Sequence, residues 1–182
     1  MFNINEKTFN KSVEKHWLQA GTKFKKELYE KFMHFSDRYN IIVGYGSLLN
    51  EQSARSSFKN AQDLGFDYLE NYERVFSMGG VNTGFLNVRR SYGDTIVVRR
   101  WSLNRQEFAS YIIREGLYNL VKTPLGITCI AAPWINPNIT PNLNYWRTCL
   151  ADLDAEGKLN FKNTTYNIDN QLTVDYIKSL YS

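Results

Sequence analysis

The residues most able to do chemistry are Gly44-Tyr45-Gly46-Ser47-Leu48-Leu49, entered directly from the apolar run Ile41-Ile42-Val43. Asn50-Glu51-Gln52-Ser53 follows and reads as a helix start. A strand that ends in a tight turn opening onto a helix gathers successive backbone N–H groups into one small volume. The helix end adds positive potential there. The chemistry on offer is the holding of a carboxylate or a developing oxyanion. The turn is not a phosphate loop, because no Gly-Lys-Ser/Thr follows. Nor is Ser47 a nucleophile elbow: that pattern needs glycine at position 49, where Leu49 stands. A triad would also need a histidine, and His16 and His34 both lie in the N-terminal segment. The plain alternative is a sharp bend that simply needs small residues at Gly44, Gly46 and Ser47.

A second group comes from far downstream. Asn104 begins a helix, with Glu107 three residues later as in a capping box. Its apolar positions are Phe108, Tyr111 and Ile112, and the next place in that spacing holds Glu115. A carboxylate thus stands where a core residue is expected. Burial would raise its pKa unless a cation or hydrogen bonds compensate, and such a group is a candidate general acid or base. The competing reading is a glutamate at a frayed helix end, exposed or paired with Arg114 or another arginine.

The elements that must position these groups follow from the pattern. Trp17, Ala20, Phe24, Leu28, Phe32 and Phe35 recur at helical spacing, with lysines and glutamates on the other faces. Gly21-Thr22 divides this segment into two helices, with Thr22 as the expected cap. Residues 1–40 therefore read as an N-terminal helical extension, and 41–182 as the main domain. Ile41–Tyr45 is a buried strand and Glu51–Phe58 a short helix. Tyr68–Phe76 reads as a strand. Phe85–Val88 and Thr95–Val98 read as two strands joined through Ser91-Tyr92-Gly93-Asp94. Ile127–Ala132 is a further strand, and Asn136–Asn142 a polar, proline-marked loop. Tyr145–Leu153 and Leu172–Tyr181 read as helices. Strands and helices mix without a regular βαβ rhythm, which favours an α+β fold built on a small mixed β-barrel.

A strand ending in Tyr45-Gly46-Ser47-Leu48, with an Arg114-Glu115-x-x-Tyr118 helix end downstream, resembles the γ-glutamylcyclotransferase-like family. Tyr72-Glu73-Arg74-Val75-Phe76, Phe85-Leu86-Asn87-Val88 and Tyr145-Trp146-Arg147-Thr148-Cys149-Leu150 resemble its later segments. The likeness covers roughly residues 40–160, and only the turn and the glutamate are specific. The family's small-residue, proline-containing stretch is not found, and Arg99-Arg100-Trp101 replaces more apolar residues. The resemblance implies a compact barrel with flanking helices and no cofactor. It implies conversion of γ-glutamyl amides, peptides or amines to 5-oxoproline and a free amine. It also implies Glu115 as the acid/base, with Tyr45, Gly46, Ser47, Leu48 and Tyr118 binding the substrate.

Composition sets the outer limits. At 182 residues and 43% hydrophobic content, with 12 Tyr and 11 Phe, the chain can build one substantial core. No run approaches the ~18 apolar residues of a membrane span. The N-terminus lacks the apolar core of a signal peptide. A cytoplasmic protein without membrane attachment is expected. Cys129 and Cys149 sit in apolar surroundings and read as inert core residues, and two Cys and two His so scattered offer no metal site. The net charge of +4 is weak support for nucleic acid. Arg89-Arg90 and Arg99-Arg100 read as solvated strand-edge charges rather than a nucleic-acid surface. Beside the enzyme reading stands a same-fold, catalytically inactive binding or interaction module. Oligomeric state is open.

Overall fold

The structure is a computed structural model that describes residues 4–131 and 138–182. Seven helices among these are α1 (Glu6–His16), α2 (Thr22–Ser36), α3 (Glu51–Ser57), α4 (Arg105–Arg114), α5 (Leu143–Leu150), α6 (Ala155–Asn163) and α7 (Thr173–Ser179). Six strands are β1 (Ile41–Gly44), β2 (Gln62–Met78), β3 (Phe85–Ser102), β4 (Asn119–Thr123), β5 (Gly126–Ile130) and β6 (Thr165–Asn167). They form one mixed sheet in the order β4-β5-β1-β3-β2-β6.

The sheet is open, which corrects the expected barrel. Closure requires the first and last strands to pair, and here β4 and β6 end the order at opposite edges. The barrel expectation rests on the irregular mixing of strands and helices and on the family resemblance, and neither fixes whether the edge strands meet. Phe85–Val88 and Thr95–Val98 belong to one strand, β3, paired with β2 nearly throughout. Ser91-Tyr92-Gly93-Asp94 is no turn. The register shifts between Glu70 and Tyr72, Asn71 takes a positive φ of 65°, and Gly93 one of 88°. The polar residues are thus absorbed as an irregularity within the ladder, which continues past it.

Alternation along β1 divides the interior. Ile42 pairs across with Trp101 and joins a cluster with Phe9, Val13, Leu28 and Phe32 of α1–α2 and Phe108 and Ile112 of α4. Val43, one residue on, joins Phe76, Leu86 and Val97 with Trp146 of α5 and Phe161 of α6. The N-terminal helices therefore bury their stripe in the same cluster as α4, the helix that carries Glu115.

Local signals explain most boundaries. Asn104 and Glu107 form the expected reciprocal capping box of α4. Asn5, Asn50, Asn142 and Asp154 cap α1, α3, α5 and α6 with their side chains. The break between α1 and α2 falls as predicted, but the cap is Gly21 and Thr22 is the first helical residue. β4, α6 and β6 carry no sequence pattern strong enough to have announced them. Ala132 and positions 136–137 of the expected strand and loop lie outside the described residues. The rest of that loop docks on the end of the β2–β3 connection, with Gly84 N–H donating to Thr140 O at 2.9 Å. Among the described residues no helix is long and apolar enough to cross a membrane. Nor does any group of three or more His, Cys, Asp or Glu among them gather as a metal site.

Candidate active site

Beyond β1 the chain makes a single 3-10 turn, Ser47–Leu49, before Asn50 caps α3. Two close approaches require glycine. A Cβ on Gly44 would collide with Leu48 Cβ, and one on Gly46 with the Tyr145 hydroxyl. The turn's carbonyls are held from behind. Arg74 Nε donates to Tyr45 O at 2.7 Å, Trp101 Nε1 to Leu48 O at 3.0 Å, and Arg99 to Leu49 O at 3.0 Å. A trans peptide sends its N–H opposite to its C=O, so fixing Tyr45 O turns Gly46 N–H away from Arg74. Within the turn, Leu49 N–H donates to Gly46 O and Asn50 N–H to Ser47 O. The N–H groups of Gly46, Ser47 and Leu48 precede this ladder, and that of Ser47 donates to the Tyr145 hydroxyl.

Glu115 is the residue at which α4 ends, with φ −96° and its N–H still bonded to Tyr111 O. The helical stripe carries it inward, and its side chain keeps only 18% of its accessible surface. Burial raises its carboxyl pKa above the usual carboxylate value, although the Arg114 guanidinium opposes that rise. Arg114 Nε stands 3.3 Å from Glu115 Oε1. The same guanidinium donates to Ser47 Oγ at 2.9 Å, Ser57 Oγ at 2.9 Å, and both Ser53 O and Ser53 Oγ. One side chain thus ties the carboxylate to the turn and to α3. The frayed-end alternative captured half of this: Glu115 does pair with Arg114, but inside the fold.

The turn and Glu115 line one cavity of about 430 Å³, within the range of small-molecule sites. Tyr45, Gly46, Ser47, Leu48 and Tyr118 all line it too. Tyr45 Oη donates to Cys129 O at 2.8 Å, and Tyr118 Oη to Leu86 O at 2.9 Å, anchoring the turn to β5 and α4's end to β3. Burial raises the phenol pKa values of Tyr45, Tyr111, Tyr118 and Tyr145, and the negative charge on Glu115 adds to this. These hydroxyls stay protonated at neutral pH. Cys129 is buried as expected, yet it also faces the cavity, with Sγ 2.9 Å from Tyr111 Oη and its thiol pKa pushed up by burial.

From the sequence, Arg114 reads as part of the motif around Glu115 and a partner for it, Tyr111 and Trp17 as packing residues, and Tyr145 as the start of a helix resembling a family segment; all four line the cavity. Tyr111 could have been found, since it shares the stripe that leads to Glu115. Trp17 could not, because its place depends on how α1 packs. The expectation for the arginine pairs is corrected in part. Arg99 is buried between Asp63 and Asp152, at 2.5 and 3.0 Å, and Arg100 binds Leu125 O and Asp67. They are internal struts of the sheet, not solvated edge charges. Arg89 pairs with Glu73, and Arg90 lies over Tyr72.

No protein-family model and no curated protein matches the sequence. Solved structures do match in three dimensions. One described as gamma-glutamyl cyclotransferase aligns with a TM-score of 0.53 at 15% identity, covering 80% of this chain and 88% of its own. The chain has the fold of gamma-glutamyl cyclotransferase. An uncharacterized Homo sapiens protein, loc79017, aligns with a TM-score of 0.51 at 16% identity over 79% of this chain and 86% of its own. YkqA from Bacillus subtilis gives a TM-score of 0.52 at 15% identity over 75% of this chain, which spans 57% of YkqA. Identities this low establish shared architecture; what the chain does must be argued from its own residues.

Proposed function

We propose that the chain is a cytoplasmic, gamma-glutamyl cyclotransferase-type enzyme that converts a small γ-glutamyl amide, peptide or amine to 5-oxoproline and a free amine. The observation that carries this reading is the shared cavity: a poorly solvated carboxyl and a backbone turn line it together, joined by Arg114. The substrate supplies both reacting atoms, so no cofactor is needed.

The substrate's α-nitrogen attacks its own γ-carbonyl carbon. At neutral pH that nitrogen is mostly ammonium, and Glu115 accepts a proton from it. The new C–N bond closes a five-membered ring, and the carbonyl oxygen becomes an oxyanion. Glu115 returns the proton to the departing nitrogen as the original amide C–N bond breaks. A second proton leaves the ring nitrogen, which keeps one hydrogen, and the released amine takes it up. Acid–base help of this kind is worth roughly 10²–10⁴ in rate. Holding an intramolecular nucleophile at its target adds an effective molarity of up to ~10⁵ M or more. Gly46 and Leu48 N–H, together with Ser47 N–H once it leaves the Tyr145 hydroxyl, are the candidate donors for the α-carboxylate or the oxyanion, where one lost donor costs about 3 kcal/mol.

The test is incubation with γ-glutamyl dipeptides, γ-glutamyl amines and glutathione, followed by assay of 5-oxoproline. Formation that depends on Glu115 supports the proposal. No product from any of them, with a ligand still bound in the cavity, would leave the inactive binding module instead.

A further inference from the structure

Resting on that reading, we infer that the leaving amine is apolar and carries no carboxylate, and that Trp17 and Leu117 form the wall that selects it. The cavity has two chemically distinct parts. Its inner lining holds Tyr45 at 6%, Tyr111 at 1% and Cys129 at 6% exposure, beside Glu115 and the turn. Its solvent side holds Leu117 at 62% and Phe85 at 42% exposure, with Trp17 and Met78 also on the lining.

Among the described lining residues Arg114 and Glu115 are the only charged ones. Both belong with the γ-glutamyl portion, whose ammonium and α-carboxylate need them and the turn. The guanidinium is already shared among Glu115, Ser47, Ser53 and Ser57. A second carboxylate, such as the one at the end of a dipeptide, would meet Trp17, Met78, Phe85 and Leu117 with no cation to pair. An unpaired carboxylate against apolar groups is costly, whereas an alkyl or aryl group there loses water-exposed surface favourably.

Trp17 presents its ring to this wall rather than its donor. Its Nε1–H donates to Ile113 O at 2.8 Å, and its ring stands nearly perpendicular to that of Phe24, 5.7 Å between centroids. Gly116, the residue after Glu115, leaves room for this: a Cβ there would lie 3.2 Å from Trp17 Nε1 and 3.1 Å from Phe24. The segment following α1 thus supplies part of the wall that meets the departing amine.

The experiment compares kcat/KM, by 5-oxoproline release, for γ-glutamyl benzylamide, γ-glutamylalanine and glutathione. Wild type should favour the benzylamide by at least about tenfold, the order of discrimination that an apolar pocket gives. Leu117→Arg, at an exposed position that tolerates a long side chain, should shift the ratio toward γ-glutamylalanine by about tenfold. Trp17→Ala should raise KM for the benzylamide more than it lowers kcat, with Trp17→Phe restoring most of the loss; if Trp17→Ala does not fold, the Leu117→Arg ratio decides. Equal or better use of γ-glutamylalanine by wild type overturns this inference and leaves the cyclotransferase reading standing. An unmoved ratio in Leu117→Arg overturns the wall. Release of 5-oxoproline from none of the three overturns both.

Discussion

Glu115→Gln separates the chemical role of the carboxyl from its structural one, because glutamine keeps the shape and removes the charge. Loss of the proton carrier should lower kcat at least about 100-fold, on the order of 3 kcal/mol in the barrier. Stability should move the other way. The folded pKa of Glu115 is raised by burial despite Arg114 at 3.3 Å. The native state therefore favours the protonated carboxyl. Stability from this group is fully present below the unfolded value of about 4.5 and is lost as pH rises through the higher folded value. Glutamine resembles the protonated form at every pH. Glu115→Gln should therefore have a higher Tm than wild type at pH 7–8, and the difference should shrink toward zero as pH falls below 4.5. Thermal unfolding across that range, with circular dichroism to show an intact fold, reads the second effect, and 5-oxoproline release reads the first. Unchanged turnover would reject the acid/base role. A variant less stable at pH 8, with the deficit vanishing in acid, would show that Arg114 outweighs desolvation and would refute the electrostatic reasoning.

Arg114→Lys keeps a cation but cannot span Glu115, Ser47, Ser53 and Ser57 at once; it should lower kcat/KM on the order of 100-fold through misplacement of the turn and Glu115, read by 5-oxoproline release. Gly46→Ala should lose activity and about 1–3 kcal/mol of stability, read by chemical denaturation, because its Cβ meets the Tyr145 hydroxyl; adding Tyr145→Phe, which removes that oxygen, should restore part of both. Arg74 is fully buried, faces Tyr45 O, Val97 O and Thr164 Oγ1, and has its pKa pushed down to about 9 by burial. Arg74→Lys should destabilise by roughly 3 kcal/mol in urea unfolding, since an ammonium cannot satisfy all three acceptors, and should raise KM by releasing the Tyr45 carbonyl.

Which features were legible depended on how local their causes are. The Tyr45–Leu48 turn could be read because two glycines, a preceding apolar strand and a following cap act within ten residues. Glu115 could be read because a helix projects its stripe predictably for a turn beyond Ile112. The α4 capping box was legible for the same reason. What failed was non-local. Whether Ser91–Asp94 bends back or continues depends on β2 offering Asn71 across the ladder, and Asn71 lies some twenty residues away. Whether the sheet closes depends on where β4 and β6 finish, and neither short strand carries a pattern of its own. Arg99 reads as surface charge until Asp63 and Asp152, from two distant segments, are brought to it. Trp17 enters the cavity only because α1 packs against α4.

The poise of Glu115 follows from how Arg114 is divided. A guanidinium 3.3 Å from a carboxylate would ordinarily hold that carboxyl well ionised. Here its other nitrogens are committed to serine oxygens on α3 and at Ser47. These acceptors hold the fork, and its closest approach to Glu115 is Nε to Oε1 at 3.3 Å. A bidentate pair would be stronger and would favour the charged carboxylate further. Burial remains the larger influence, and the carboxyl pKa stays raised despite the nearby cation. The serines of α3 therefore bear on the electrostatics of Glu115 without lining the cavity: they accept hydrogen bonds from the same guanidinium that faces the carboxylate.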